Sequence, residues 1–210
     1  MNRGIVVVRC DTGRETVVAV KNLTFRYEKS DDPVLSDLSL SLDRGEFVLL
    51  TGFSGCGKST LLKTFNGVIP HIQGGDMSGQ VVVCGLDTTR YRVHTLARHV
   101  GMVFQNPEDQ IFSLRVVDEV AFGVENQGLS HQEIVERVDS AMALTGISPL
   151  RESLTFALSG GQKQKVSIAA NIATRPEAWR NMRPGCWYSG TGTSNWTVLP
   201  RRYSSSTTSF

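Results

Sequence analysis

A chain of 210 residues is long enough for one sizeable hydrophobic core and not obviously for two. Hydrophobic residues make up 40% of it and charged residues 20%, which excludes a chain that is disordered throughout. The formal net charge of +2 gives no electrostatic case for a nucleic-acid partner or an anionic membrane surface. No apolar run approaches the roughly 20 residues that a membrane-spanning helix needs.

The N-terminal sequence and the spacing of the cysteines indicate the cellular compartment of the protein. The opening sequence MNRGIVVVRC has a short apolar segment that soon meets Asp11 and Arg14, so we expect no signal peptide. The cysteines show neither metal-ligand nor disulfide spacing, which predicts a reducing cytoplasm. They are Cys10, Cys56, Cys84 and Cys186.

Strand and helix patterns follow one another along the first 176 residues. The β-branched segment 16–27 predicts a strand, and the continuous apolar run at 47–50 predicts a fully buried strand that ends at Gly52. Ser130 with Glu133 three residues later is a capping-box signature for a helix that follows. Further strands are predicted at 79–85 and 99–105, and helices at 58–68, 130–147 and 159–174.

The segment GFSGCGKST has the spacing G-x-x-x-x-G-K-[ST] of a phosphate-binding loop. A triphosphate needs several backbone N–H donors converging on its oxygens, and glycines let the backbone wrap that tightly. Lys58 would reach the β- and γ-phosphates at the positive end of a helix, and the Ser59 hydroxyl would bind Mg²⁺. We expect the Cys56 side chain to be incidental. The predicted nucleotide-binding residues are Gly52, Phe53, Ser54, Gly55, Cys56, Gly57, Lys58, Ser59 and Thr60.

The alternative for this segment is a chance glycine-rich turn. A phosphate-binding loop needs a buried strand before it and a helix after it, and the sequence supplies both patterns. The loop therefore predicts a nucleotide site.

The sequence LSGGQ at 158–162, about a hundred residues after the loop, resembles the signature of the ATP-binding subunits of ABC transporters. Alone, such a turn could be a helix cap. In that family it caps the γ-phosphate of ATP held by a partner subunit, which implies a second ATP-binding subunit, either a copy of this chain or a paralogue. The residues implied are Ser159, Gly160, Gly161 and Gln162.

Two further positions fit the family. The resemblance implies that Gln105 contacts Mg²⁺ and couples to the membrane subunit, and that Gln105 and Lys58 are the catalytic residues retained here. Tyr27 corresponds to an aromatic that stacks on adenine; the alternative is a packing aromatic at a strand end. Phe25, two residues away, is expected in the core.

The segment 104–126, FQNPEDQIFSLRVVDEVAFGVEN, is similar to the cobalt and energy-coupling-factor importers. This similarity implies import of a metal ion or vitamin, transmembrane partner subunits, and a cytoplasmic location on the inner face of the cell membrane. Residues 107–112 would line a groove for a helix of the membrane partner, or else form a solvent loop. The VVDE at 116–119 resembles a Walker B ending but precedes the signature, so we expect Asp118 and Glu119 on a solvated face.

The resemblance implies an α/β P-loop NTPase fold, with a RecA-like core, an antiparallel β subdomain and an inserted ABC helical subdomain, incomplete at the C-terminus. It covers an ATP-binding domain at 1–176, with the core at 1–105 and 166–176 and the helical subdomain at 106–165.

Residues 177–210 do not follow the family pattern, and we expect a poorly ordered tail there. It holds all three tryptophans and one acidic residue, Glu177. The Asp-Glu pair of Walker B, with its catalytic Glu, and the switch His are not found after the signature. We therefore also consider a non-catalytic nucleotide-binding fragment or regulator, next to an ATP-hydrolysing transport subunit. A DNA-repair or translation ABC protein lacks support, as does a GTPase.

Codon arithmetic suggests a cause for the tail. Shifting the frame back by one base forces Leu at Cys186–Trp187 and Val at Trp187–Tyr188, then Leu-Asp across 195–197. The codon across Ser189–Gly190 does not permit Asp. We interpret the tail as a frameshifted or otherwise damaged reading; a genuine lineage-specific C-terminus is the alternative.

Overall fold

The structure is a computed structural model that describes residues 5–8, 15–44, 46, 48–174 and 197–200, the first and last of these ranges by their backbone alone. The chain divides into two compact units, whose main segments are Val6–Gly101 and Met102–Trp187; residues 197–200 belong to the first. None of the helices within the described ranges is long and apolar enough to cross a bilayer.

The strands are β1 (Ile5–Val8), β2 (Thr16–Tyr27), β3 (Leu35–Asp43), β4 (Val48–Thr51), β5 (Gly75–Val83), β6 (Leu86–Asp87), β7 (Val100–Val103) and β8 (Thr197–Pro200). The helices are α1 (Lys58–Phe65), α2 (Val68–His71), α3 (Val93–Leu96), α4 (Val116–Glu125), α5 (His131–Thr145) and α6 (Gly160–Thr174). Short 3₁₀ turns lie at Pro107–Asp109, Ser148–Leu150 and Thr155–Ala157.

The first unit is built on an antiparallel sheet of order β3-β2-β5-β6. Along β2, Val18 and Val20 face the core, and so do Leu23 and Phe25, although Leu23 follows Val20 by three positions and not by two. The strand register shifts at this point, where Asn22 has a φ of 47°. This bulge adds the extra residue that returns Leu23 and Phe25 to the buried face.

The strand before the phosphate-binding loop differs from its prediction. All four residues of β4 are half-buried, so the prediction of a fully buried strand is wrong. Among the described strands β4 has one neighbour, β8, which pairs with it antiparallel from Val48↔Pro200 to Thr51↔Thr197. A strand buried on both faces needs neighbours and covering layers on each side. β8 lies within the predicted tail, whose order elsewhere falls outside the described residues.

The second unit is a three-helix assembly in which α4, α5 and α6 pack against one another. Its core is aliphatic. The predicted capping box between Ser130 and Glu133 is confirmed, and it forms the N-terminus of α5. The segment VVDE lies in α4 and is helical, as expected for a segment that is not a Walker B strand. Buried core residues include Val116, Val120, Val124, Val138, Met142, Ile147, Val166, Ala169 and Ile172.

The division of the chain can be set beside the predicted domains. The chain passes from the first unit to the second between Gly101 and Met102, and Met102 is four residues before the predicted start of the helical subdomain at 106. Helix α6 falls within the second unit along its whole length, so the assignment of 166–176 to the core stays a prediction.

The cysteines also differ from the prediction. Cys84 is buried and disulfide-bonded, whereas Cys56 is free and half-buried. The prediction that the cysteines form no disulfide is therefore wrong at Cys84. Sequence spacing identifies only cysteine pairs in compact motifs, whereas the geometry of a disulfide depends on how distant segments fold together. The cysteines thus give no support for a reducing compartment.

Candidate nucleotide-binding site

The glycine-rich segment 52–57 forms a loop between β4 and α1, as its spacing predicts. Gly55 and Gly57 have φ values of 85° and 90°, in the left-handed region that favours glycine. A Cβ at Gly57 would lie 2.9 Å from the Val34 carbonyl oxygen, so the site also has no room for a side chain. These two features fix the backbone so that it turns directly into the first turn of α1.

The loop and the helix start enclose a cavity of about 120 Å³. Its lining consists of Gly55, Gly57, Lys58, Ser59 and Thr60. The N–H groups of a first helical turn have no partners within the helix and carry the positive end of its dipole. The lining therefore has the composition of an anion cradle, and Ser59 places a hydroxyl in it.

Lys58 bends back over this loop. Its Nζ donates to the carbonyl oxygens of Gly52 at 2.8 Å and Phe53 at 2.6 Å, and lies 3.3 Å from Cys56 Sγ. Neither carbonyl carries a formal charge, so Lys58 has no anionic partner in these contacts. The Lys58 ammonium can therefore exchange these carbonyls for phosphate oxygens with little movement of the backbone.

Tyr27 lies at the end of β2 beside α1. Its hydroxyl is 3.1 Å from Thr60 Oγ1, and its ring packs edge-to-face on the Phe25 ring with centroids 4.9 Å apart. Phe25 is fully buried, as predicted, whereas Tyr27 is half-buried. The structure thus places Tyr27 next to the P-loop helix; stacking on adenine stays a prediction.

The signature turn opens α6. Ser159 N–H donates to Gln162 Oε1 at 2.8 Å, and Gln162 N–H donates to Ser159 Oγ at 3.3 Å. This reciprocal pair of hydrogen bonds is a capping box. The two interpretations of LSGGQ, as a helix cap and as the ABC signature, therefore involve the same two side chains. A Cβ at Gly160 or at Gly161 would meet no heavy atom within 4 Å. Packing among the described residues therefore does not require glycine at either position.

Gln105 lies exposed in the loop after β7, in the second compact unit with the signature turn. The N-cap of the following 3₁₀ turn is Asn106, whose side chain accepts from Glu108 N–H. Glu108 also accepts from Lys163 Nζ at 2.6 Å, and this hydrogen bond holds the pKa of Glu108 below its usual range. Lys163 directly follows the signature, so one ion pair joins the Gln105 loop to α6.

Asp118 and Glu119 were expected on a solvated face, and for Glu119 this expectation is wrong. Its side chain is buried and accepts from the backbone N–H groups of Phe112 and Ser113. The loop at 112–113 folds back over the start of α4, which no helical spacing pattern predicts. The sequence gives one signal for the burial of Glu119. It is a carboxylate in an otherwise apolar stretch of helix, next to a loop whose backbone N–H groups need hydrogen-bond acceptors.

The structure brings together the predicted residues of each compact unit separately. The first unit holds Tyr27 and the cradle residues 52–60 on one strand end, one loop and one helix start. The second unit holds Gln105 and residues 159–162, tied by Glu108 and Lys163. Sequence reasoning missed Lys163 and Thr155, because each acts through a contact with a segment far along the chain, and it misplaced Glu119, whose partners lie in the loop that folds back over the start of α4.

A family model described as ABC transporter matches residues 35–179. The chain therefore belongs to the ABC transporter family, and its fold is the mixed α/β fold of a P-loop ABC ATPase with an antiparallel β subdomain. Family membership implies an ATP-binding protein.

Relatives agree with this family. Putative ABC transporter ATP-binding proteins of Methanosarcina mazei and Pyrococcus abyssi are 50% identical over 163 residues and 40% identical over 161 residues. These alignments cover 78% and 77% of this chain, and 28% and 58% of the two relatives. This chain thus spans less than a third of the first relative and less than three fifths of the second.

A solved structure gives the same result. That of cbiO1 from Clostridium perfringens, described as part of the ABC transporter complex cbiONQ, matches with a TM-score of 0.63 and 31% identity. The match covers 77% of this chain and 62% of cbiO1. The predicted family and fold class are confirmed.

Proposed function

We propose that this chain is the ATP-binding subunit that energises import of a metal ion or vitamin through a membrane ABC transporter of the energy-coupling-factor kind. The observation that carries the proposal is the cradle at the start of α1, where Lys58 Nζ lies on the loop carbonyls beside backbone donors and Ser59. The similarity to cbiO1, part of a cbiONQ complex, supports the choice of an importer.

The residues of the cradle divide the binding task among themselves. Backbone N–H groups of 55–60 would bind the phosphate oxygens, and Lys58 would neutralise the β- and γ-phosphates. Ser59 and Gln105 would hold Mg²⁺, which supplies charge neutralisation at the same phosphates when bound. Tyr27 would support the adenine ring, since base–aromatic stacking is worth about 1–3 kcal/mol for any base.

A second ATP-binding subunit would complete the site. The open space beside Gly160 and Gly161 supports this, because glycines that the fold does not need leave the first-turn N–H groups of α6 accessible to a phosphate. Ser159 and Gln162 fix that turn through their capping box. The sandwich partner is a copy of this chain or a paralogue.

The membrane partner would bind the second compact unit. Exposed apolar side chains cluster there on the segment after Gln105 and on the turn before the signature, and we call this set the docking patch. It consists of Phe112, Leu114, Phe122, Leu154 and Phe156. Clustered exposed aromatic and aliphatic side chains mark interaction surfaces. The position of the chain would then be the inner face of the cell membrane.

A non-catalytic nucleotide-binding subunit is the second candidate. It is favoured by residues 177–210, in which Glu177 is the one acidic residue and no Asp-Glu pair follows the signature. A positioned general base typically contributes about 10²–10⁴ in rate. We therefore expect slow or no ATP hydrolysis by this chain alone, and nucleotide binding without turnover would favour the second candidate over the first.

Binding of a fluorescent ATP analogue to the purified full chain tests the proposal. The analogue should bind saturably with Mg²⁺, and Lys58→Ala should weaken binding by at least about tenfold, because a charge-assisted contact with phosphate is lost. Lys165→Ala, an exposed residue of α6 outside the signature, is the matched control and should bind as the wild type does. Equal binding by wild type and Lys58→Ala would refute the proposed site.

A further inference from the structure

The docking patch shows an inverted distribution of polar and apolar side chains. Phe112 and Leu114 are 63% and 70% exposed, while Glu119 and Thr155 beneath the same segment are 4% and 6% exposed. Carboxylates are almost never fully buried without partners, and large apolar side chains ordinarily are buried. The inversion therefore needs a reason other than the stability of the folded chain.

Glu119 binds the segment from one side. One carboxylate oxygen, Oε2, accepts from Phe112 N–H at 3.1 Å and from Ser113 N–H at 2.9 Å. Glu119 lies in the first turns of α4, so a rigid helix carries this acceptor.

Thr155 binds the segment through its carbonyl groups. Its hydroxyl donates to the Ser113 carbonyl oxygen at 2.6 Å, and its backbone N–H donates to the Leu114 carbonyl oxygen at 2.9 Å. Glu119 and Thr155 therefore bind the backbone N–H groups of 112 and 113 and the backbone carbonyl groups of 113 and 114. With the backbone fixed inwards, the side chains of Phe112 and Leu114 remain at the surface.

The rest of the docking patch surrounds these two side chains. The Phe112 ring packs edge-to-face on the Phe122 ring with centroids 4.5 Å apart. Leu154 pairs with Arg115 in an isolated β-bridge next to Leu114. Phe112 and Leu114 therefore extend a surface to which α4 and the turn at 154–156 also contribute.

We propose that Glu119 is the positioning residue of the docking patch: with Thr155 it holds the 112–114 backbone so that Phe112 and Leu114 point outwards to an apolar helix of the membrane subunit. This rests on the proposed function, which supplies the partner. What matters is the reach of an acceptor oxygen to the Phe112 and Ser113 N–H groups, and the negative charge alone is not sufficient.

Three substitutions in the full chain separate reach from charge. Glu119→Gln keeps a carbonyl oxygen at the same distance, Glu119→Asp keeps the charge on a side chain one methylene shorter, and Glu119→Leu removes the acceptor. Asp118→Asn, on the same helix, is the matched control. Thr155→Val loosens the segment from its other side and serves as a second variant where Glu119→Leu does not fold.

Amide hydrogen exchange of each variant is the first measurement. Exchange at Phe112 and Ser113 should rise about tenfold in Glu119→Asp and Glu119→Leu, and stay within about twofold in Glu119→Gln and Asp118→Asn. Thr155→Val should raise exchange in the same segment. Exchange in α5 and binding of the ATP analogue should not change in any of them, because the effect is local. Unchanged exchange at 112–113 in both Glu119→Asp and Thr155→Val would overturn the inference, as would a rise that extends through α5.

Binding to the detergent-purified membrane subunit encoded beside the gene is the second measurement. Glu119→Asp should weaken it by about tenfold, and Glu119→Gln should leave it within about twofold of the wild type. If exchange rises in Glu119→Asp while binding is unaffected, the contact is structural only and the positioning role is refuted. If the wild type does not bind the membrane subunit, the proposed partner is wrong, and the inference falls with it even where the exchange result holds.

Discussion

At the residue scale, Tyr27 connects the β subdomain to the nucleotide cradle through two contacts of different kinds. Its hydroxyl meets Thr60 and its ring meets Phe25. The contact of the hydroxyl orients the Tyr27 ring, whereas a nucleotide base would stack on the face of that ring. These two roles can be separated by substitution.

We predict that Tyr27→Ala weakens ATP binding by about 1–3 kcal/mol, while Tyr27→Phe stays within about 1 kcal/mol of the wild type. The reason is that phenylalanine keeps the π-face and loses only the hydrogen bond to Thr60. Titration calorimetry with ATP and GTP measures both, and the loss in Tyr27→Ala should be similar for the two bases. Equal affinities of Tyr27→Ala and wild type would show that Tyr27 is a packing aromatic.

The Glu108–Lys163 pair gives a pH-dependent prediction. The hydrogen bond from Lys163 lowers the pKa of Glu108, so the pair contributes stability above the pKa of Glu108 in the unfolded chain. That contribution is lost as the pH falls through the lowered pKa of the folded state, below the ordinary value of about 4.3. Lys163→Met should return the pKa of Glu108 towards this value in a carbon-13 NMR titration. An identical Glu108 titration curve in both proteins would contradict the pairing.

Residues whose role follows from local backbone geometry could be predicted, and those whose role depends on tertiary contacts could not. The spacing of Gly52, Gly57, Lys58 and Ser59 encodes the loop because its geometry is backbone geometry. Glu119 was misplaced on a solvated face, because its partners, the Phe112 and Ser113 N–H groups, reach it only once the loop has folded.

At the scale of single elements, α5 shows how far local sequence specifies structure. Its N-cap Ser130 and Glu133 form the predicted capping box, and Gly146 ends the helix with a φ of 67°. The capping box predicted where this helix starts, whereas the helix ends at Thr145, two residues before the predicted end at 147.

We predict that Ser130→Ala lowers the free energy of unfolding by about 1 kcal/mol, since it leaves the Glu133 N–H without its acceptor. Ser130→Asp should retain most of the stability because it is also a good N-cap. Chemical denaturation followed by circular dichroism measures the difference. Equal stability of Ser130→Ala and the wild type would mean that the capping box contributes nothing measurable.

The signature turn gives a prediction in which stability and function separate. Gly160→Ala meets open space at the first position of α6 and replaces glycine by the best helix former. Its unfolding free energy should be unchanged or raised by up to about 1 kcal/mol, while ATP-dependent association of two chains should weaken. Sedimentation velocity with Mg²⁺ and ATP measures the association, with Lys165→Ala as control. An unaltered dimer fraction in Gly160→Ala would count against a phosphate at this turn.

The strand β4 shows the limit of prediction for single elements. Its apolar run was expected to be fully buried, yet all four residues are half-buried beside β8, the one neighbour that β4 has among the described strands. Hydrophobicity predicts that a segment will be buried by other parts of the protein. Which strands and helices provide that cover depends on segments elsewhere in the chain.

At the scale of the whole molecule, the chain combines a nucleotide cradle in one compact unit with a signature turn and a docking patch in the other. The family could be predicted because its two motifs are short, strict and separated by the expected elements. The individual solute could not be named from this chain, because the family resemblance implies that the membrane subunits select it.

Equilibrium dialysis with γ-labelled ATP tests the central claim most directly, because one sample reports both bound nucleotide and released phosphate. For the full chain with Mg²⁺ we predict saturable binding of intact ATP that Lys58→Ala abolishes, and phosphate release no faster than in Lys58→Ala. Absence of saturable binding by the wild type would contradict the nucleotide site. Lys58-dependent phosphate release at the rates of ordinary ABC ATPases would contradict the expected lack of turnover.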